Sequence, residues 1–141
     1  MSNISELENI CNDLNISFHI INGDEANEII AQAINLFNPE KITGHLSISN
    51  SNNKVFKISL EHNEFTYSKK LPEGKGYIFF DLESKDKNNI FVLDNVQNTC
   101  DIMSESFGME YFLCDEKFNY LITVNWYVIE LTNGAKEYLI T

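Results

Sequence analysis

The chain contains no arginine. All ten of its basic residues are lysines, set against twenty-one carboxylates, for a formal charge of −11. Arginine is the usual residue for forked contact with phosphate and carboxylate, so its absence removes the commonest tool for gripping nucleic acid or nucleotides. A protein this acidic repels polyanions and attracts cationic surfaces, which affects association rate and partner choice rather than fold. AT-rich codon usage, which favours Asn, Ile, Lys, Phe and Tyr, is a second source of the bias, and the electrostatics follow either way. Glycine and proline are also scarce, six and two respectively, which argues against disorder and against a turn-dense sandwich. Cys11, Cys100 and Cys114 are odd in number and lack paired spacing. Three thiols without a disulfide framework suit a reducing compartment. The apolar runs fall well short of the roughly 20 residues of a membrane span, and the first residues carry no positive n-region of a signal peptide. The expected setting is cytoplasmic, with neither membrane nor nucleic acid as partner.

What is present suits one domain, 1–141. About 100–200 residues is the usual size of a single domain, and one this long builds a real core without staples. The 43% hydrophobic content agrees, with ten Phe, six Tyr and one Trp as bulky packing groups. Charge is unevenly placed. Residues 1–40 hold seven carboxylates and no lysine, 41–80 hold six lysines against three glutamates, and 81–141 hold eleven carboxylates against four lysines. The acidity therefore lies in the helical start and the C-terminal half rather than in a low-complexity tail.

Ile4, Leu7, Ile10, Cys11 and Leu14 recur at helical spacing, and Ser5-x-x-Glu8 resembles a capping box, so a helix is expected over about 3–14. Residues 16–21 read as a short strand or packed connector, and Asn22-Gly23 as a turn with Asp24 as N-cap. Ala26, Ile29, Ile30, Ala33, Ile34 and Phe37 form the stripe of a second helix, about 25–37, stopped by Pro39. From Thr43 the period becomes two. Leu46 and Ile48, then Val55–Leu60, flank a polar Ser49–Asn53 stretch and read as a hairpin continued by Phe65 and Tyr67. Tyr77–Leu82 and Ile90–Leu93 are two apolar runs about a polar turn. Val96, Cys100, Met103 and Phe107 return to helical spacing, closed by Gly108. Met109–Cys114 and Phe118–Val128 read as a tight hairpin, and Glu130–Ile140 as adding a short last strand after Asn133-Gly134. The pattern predicts an α+β fold: a mostly antiparallel sheet of about six to eight strands, two N-terminal helices, one helix near 96–107, and helices covering one face.

The sequence holds no constellation with the spacing of a catalytic or metal site. His19, His45 and His62 with the three cysteines lack the close C-x₂-C or H-x₃-H pairs that aim two ligands at one ion, although His45 and His62 flank the expected hairpin. Cys100 fits a small core residue. Gly74-Lys75-Gly76 lacks the phosphate-loop spacing and precedes a strand, so it reads as a solvated turn. Glu61 with Glu64, Asp81 with Glu83, and Asp115 with Glu116 are close carboxylate pairs, but acid–base catalysis needs two carboxyls converging in a cleft. No calcium loop is present. No enzyme activity, metal or cofactor is expected.

Acid on helix faces is the more suggestive pattern. Asp24, Glu25 and Glu28 lie in the first turns of the second helix, where they also complement the positive dipole end. Asp101 and Glu105 stand four apart on one exposed face, a like-charge spacing that mildly destabilises a helix and suits a basic partner. Tyr120 and Trp126 share a strand face by parity, and Trp is a common interface anchor.

The segment Phe112-Leu113-Cys114-Asp115-Glu116-Lys117-Phe118-Asn119-Tyr120-Leu121-Ile122 resembles a hairpin of small bacterial α+β proteins. Immunity proteins of bacterial toxin systems are among them. The resemblance covers about 30 residues. Trp126-Tyr127 stands where related hairpins often carry histidines, so no site is carried across. The resemblance implies a bacterial cytoplasmic protein that neutralises a toxin domain by binding it. The expected function is then an immunity-type inhibitor, monomer or homodimer, of a basic toxin, with a nuclease as the expected class. Its contacts would be Asp24, Glu25, Glu28, Asp101 and Glu105, with Trp126 as anchor. The alternatives are a non-enzymatic scaffold forming homo-oligomers through its sheet edge or aromatics, and an enzyme on carboxylate chemistry.

Overall fold

Four strands at the centre of the molecule are apolar at nearly every position, and that pattern dictates the architecture. The computed structural model describes residues 2–51 and 53–140. In it β5 (Gly76–Phe79), β6 (Asn89–Leu93), β7 (Tyr111–Asp115) and β8 (Leu121–Val124) are buried on both sides. With β1 (Phe18–Asn22), β4 (Val55–Ser59) and β9 (Val128–Thr132) they form a seven-stranded sheet of order β1-β6-β5-β7-β8-β9-β4. Every pairing in it is antiparallel. The fold is α+β, as the periodicity predicts.

A strand buried on both faces needs cover on both. One face carries α1 (Asn3–Leu14), α4 (Thr99–Glu105), α5 (Asn133–Leu139) and a 3₁₀ turn at Tyr67–Lys70. There Leu7, Tyr67, Ile102 and Ala135 pack on Ile78, Phe91, Leu113 and Ile122. The other face carries α2 (Gly23–Phe37) and a separate hairpin, β2 (Pro39–Ile42) with β3 (His45–Ile48). Here Ala26, Ile30, Ala33, Leu46 and Ile48 pack on Phe79, Val92, Phe112 and Leu121. The expectation of helices on one face is thus corrected. The continuous runs Ile90–Leu93 and Tyr111–Cys114 carry the reason, since a half-exposed strand would alternate.

Other expectations are corrected as well. β3 and β4 do not form a hairpin: β3 pairs with β2, and β4 pairs with β9. The stretch after β4 turns helical as α3 (Leu60–Asn63), so Phe65 and Tyr67 do not extend a strand. Phe118–Val128 is not one strand. Asn125 breaks it, its side-chain oxygen accepting from the Tyr127 and Val128 N–H groups at 2.8 and 3.0 Å. The C-terminal segment forms α5 instead of a strand. Gly134 is small there because a Cβ would lie 1.8 Å from the Asn119 carbonyl oxygen. The cap of α1 is Ser2, which accepts from the Ser5 N–H at 3.1 Å, displacing the expected Ser5–Glu8 box. α4 ends at Glu105, leaving Phe107 outside it and 97% exposed.

The two-residue connection of β2 and β3 sets both Thr43 (φ 54°) and Gly44 (φ 84°) in the left-handed region. This is the primed turn whose twist suits a hairpin, and a β-branched residue there is strained. The hairpin lies across the sheet rather than within it, and side chains of the sheet satisfy β3. Glu130 accepts from the Ile48 N–H at 2.9 Å and the Ser47 hydroxyl at 2.8 Å. Glu110 accepts from the Leu46 N–H at 2.9 Å, and the Asn125 amide donates to the Leu46 carbonyl at 2.9 Å. These are charge-assisted or buried bonds, the stronger kind.

Candidate functional site: the aromatic end of the sheet

Strand register places Asn22, Asn89, Phe79, Tyr111, Val124, Val128 and Ser59 at one end of the sheet. The connections at this end carry an unusual set of exposed rings. Phe107 is 97%, Tyr127 73% and Trp126 51% exposed. Three large aromatics in water at one end cost hydrophobic free energy and mark a surface for interaction better than scattered singles do.

Glu110 organises this end. Its half-buried carboxylate accepts the Trp126 N–H at 3.1 Å, contacts His45 Nδ1 at 2.7 Å and holds the Leu46 N–H. It therefore ties the β2–β3 hairpin to the Asn125–Tyr127 turn. The His45 ring meets Tyr127 edge-on, with centroids 4.9 Å apart. On the other side the Phe107 N–H donates to Glu6 at 2.6 Å. Gly108, at φ 100°, lies against Trp126, so an added Cβ would sit 3.2 Å from the indole. Asp86 fixes the start of α1 by accepting the Asn3 and Ile4 N–H groups at 3.0 and 3.4 Å. The rings project from a braced frame.

The expected contact residues fall in two separate places. Asp24, Glu25 and Glu28 are exposed on α2. Asp101 and Glu105 belong to α4, on the opposite side of the sheet. A single flat interface cannot engage both groups. Asp101 is moreover paired with Lys69 at 2.6 Å, which offsets its repulsion with Glu105. Trp126 sits in the turn at the aromatic end, whereas Tyr120 is buried beside the opposite end. Their expected shared strand face does not exist, because Asn125 ends β8 between them.

The remaining constellations take structural roles. Asp115 accepts the Asn119 N–H at 2.7 Å and closes the β7–β8 turn. Asp81 and Glu83 each lie 3.4 Å from Lys41 Nζ, and Asp81 foremost raises the ammonium pKa. The three cysteines are free and buried. Burial pushes the Cys11 thiol up to about 11 and Cys114 further still. His45 and His62 lie on elements that do not pair, contrary to the flanking expected of them. Gly76 packs on Val96 and the Gly74 carbonyl accepts the Val96 N–H at 2.7 Å, so that loop is packed rather than merely solvated. Among the described residues no group of three or more His, Cys, Asp or Glu is arranged to hold a metal ion. None of their helices is long and apolar enough to cross a membrane.

No family model, curated protein or solved structure matches the chain. Sequence periodicity missed Phe107 as an exposed group because it recurs with Val96, Cys100 and Met103 at core spacing, and Tyr127 because it falls inside the expected Phe118–Val128 strand. Glu110 gave no local signal at all; its role depends on a hairpin 65 residues earlier in the chain.

Proposed function

We propose that the chain is an immunity-type inhibitor that binds a basic toxin domain, a nuclease being the best-suited class, and occludes it. The observation that carries the reading is the braced cluster of Phe107, Trp126 and Tyr127, exposed at one end of a protein of charge −11. Aromatic anchors supply buried contact area, and surrounding acid supplies steering toward a cationic surface. Glu105 stands two residues before Phe107, so this acid of α4 belongs with the aromatic end. Asp24, Glu25 and Glu28 act at longer range, on encounter rather than on retention. The proposed setting is a reducing cytoplasm, which suits three buried free thiols.

The test begins with the partner retained from source-cell lysate through a high-salt wash, then purified and assayed with and without this chain. Replacing Phe107, Trp126 and Tyr127 together by Ala should weaken binding at least about 100-fold and restore the partner's activity, as hot-spot loss does. Replacing Asp24, Glu25 and Glu28 by their amides should slow association a few-fold and flatten its salt dependence. Unchanged affinity in the aromatic variant would remove this end from the interface.

A second reading is a scaffold that self-associates. The outer strands β1 and β4 each pair on one side only, and such edges can accept a second copy. A sedimentation mass that doubles with concentration, insensitive to salt, would favour it.

A further inference from the structure

We infer that the aromatic end opens into a two-chambered groove that seats an extended segment of the basic partner, with a bulky apolar side chain in one chamber and a lysine or arginine beside it. This deepens the partner-binding reading and rests on it. The first chamber, of about 310 Å³, lies between α2 and the ends of β5 and β7 and is walled by Ile30, Ile34, Phe79 and Phe112. The second, also about 310 Å³, is lined by Leu46, Met109, Gly108 and the Trp126 indole. Lys41, Phe80 and Asp81 line both chambers, so the two adjoin. Such volumes are at the lower end of the range that takes a small ligand or a side chain.

Charge selects the occupant. The first chamber is rimmed by Asp81 and Glu83, which share one cation, Lys41, at 3.4 Å from each. Glu40 lines the same chamber, and Glu110, which lines the next, is already held by His45 and the Leu46 and Trp126 N–H groups. Carboxylate is in excess over ammonium along the first chamber, where Glu40, Asp81 and Glu83 face the one Lys41. A guest cation takes up that excess by binding one carboxylate while Lys41 keeps the other, and an acidic guest is repelled. Leu82, exposed beside the same chamber, offers apolar cover to the guest's backbone. An apolar residue flanked by basic ones is the sequence that satisfies walls and rim together.

Trp126 is the only tryptophan and edges the second chamber, so its indole N–H gives one resolved reporter signal. The experiment is a titration of ¹⁵N-labelled protein with the peptide acetyl-Gly-Lys-Leu-Lys-Gly-amide. The expected result is saturable shifts at Lys41, Asp81, Leu82 and the Trp126 indole. Replacing the peptide's leucine by serine should weaken binding at least about tenfold, and replacing its lysines by glutamate should abolish it. Lys41→Ala should tighten binding severalfold by freeing both carboxylates, and Asp81→Asn with Glu83→Gln should weaken it by a similar factor. Shifts elsewhere, no shifts, equal binding of the glutamate peptide, or a groove closed by a second copy at working concentration would each overturn the inference. An unaltered partner affinity in the Asp81→Asn, Glu83→Gln protein would overturn the groove and leave the aromatic interface standing. Peptide seated in the groove with no protein partner inhibited would instead support the groove and sink the inhibitor reading.

Discussion

The two faces of the sheet are covered by different physics. On the face of α1, α4 and α5, helices are held chiefly by apolar burial, with Leu7, Cys11, Cys100 and Ile102 fully enclosed. The Tyr67 and Tyr111 hydroxyls satisfy one another there at 2.8 Å. On the opposite face the β2–β3 hairpin is fastened through Glu110, Glu130 and Asn125 to the backbone of β3. Apolar contact is non-directional and scales with area, whereas a carboxylate accepting a backbone N–H fixes position and register. The acidity of this protein is therefore not one quantity. Glu110 and Glu130 are consumed by the fold, while Asp24, Glu25, Glu28 and Glu105 remain exposed at the surface.

The largest blow to this contrast should come from the apolar face. Leu7→Ala removes a fully buried side chain and should cost about 3 kcal/mol, seen as a lower urea midpoint at unchanged slope. Glu130→Ala, on the other face, should cost about 2 kcal/mol, because the Ile48 N–H and Ser47 hydroxyl lose a charged acceptor. Its signature should differ: amide exchange should rise first across 39–48, with the seven-stranded sheet still protected. Global loss of protection in both variants alike would dissolve the distinction between the faces.

How much of this was legible in the residues alone divides along the same line. The stripes of α1 and α2 are local signals, and both helices formed where the spacing put them. The turn between β5 and β6 and the turn between β7 and β8 were equally local, and both hairpins pair as expected. Pairing of β4 with β9 was not legible, since Val55 and Thr132 lie far apart in the chain. Trp126 was expected as an anchor, but Gly108 and Glu110 meet it only once the connection before β7 and the connection between β8 and β9 converge.

Alkaline pH should sharpen the view of the apolar face. The Cys11 thiol, raised by burial from 9.0 to about 11, stays protonated in the native protein after the unfolded chain has ionised. Its contribution is therefore complete below about pH 9 and lost progressively as pH rises toward 11. Tyr67 and Tyr111, raised well above the usual phenol value by the same burial, extend that loss upward. Denaturant midpoints should fall from pH 9 to pH 11, less steeply in Cys11→Ala; a flat profile would contradict the enclosure of these groups. The smallest effect should be a gain. Thr43→Asn relieves a β-branched residue at φ 54° and should stabilise the hairpin by about 0.5 kcal/mol, read as slower exchange across β2–β3.

By itself the amino-acid order determined the α+β class, the two N-terminal helices and the charge, because periodicity and net charge arise from neighbours a few residues apart. It also held the two-faced burial of the sheet, written in runs such as Ile90–Leu93 that do not alternate. Only tertiary structure decided that α2 and α4 present their acids in opposite directions, that Glu110 and Glu130 turn inward, and that Gly108 packs on Trp126. Those outcomes depend on which distant backbone groups require a partner once the layers have closed. That requirement does not exist until the chain is folded.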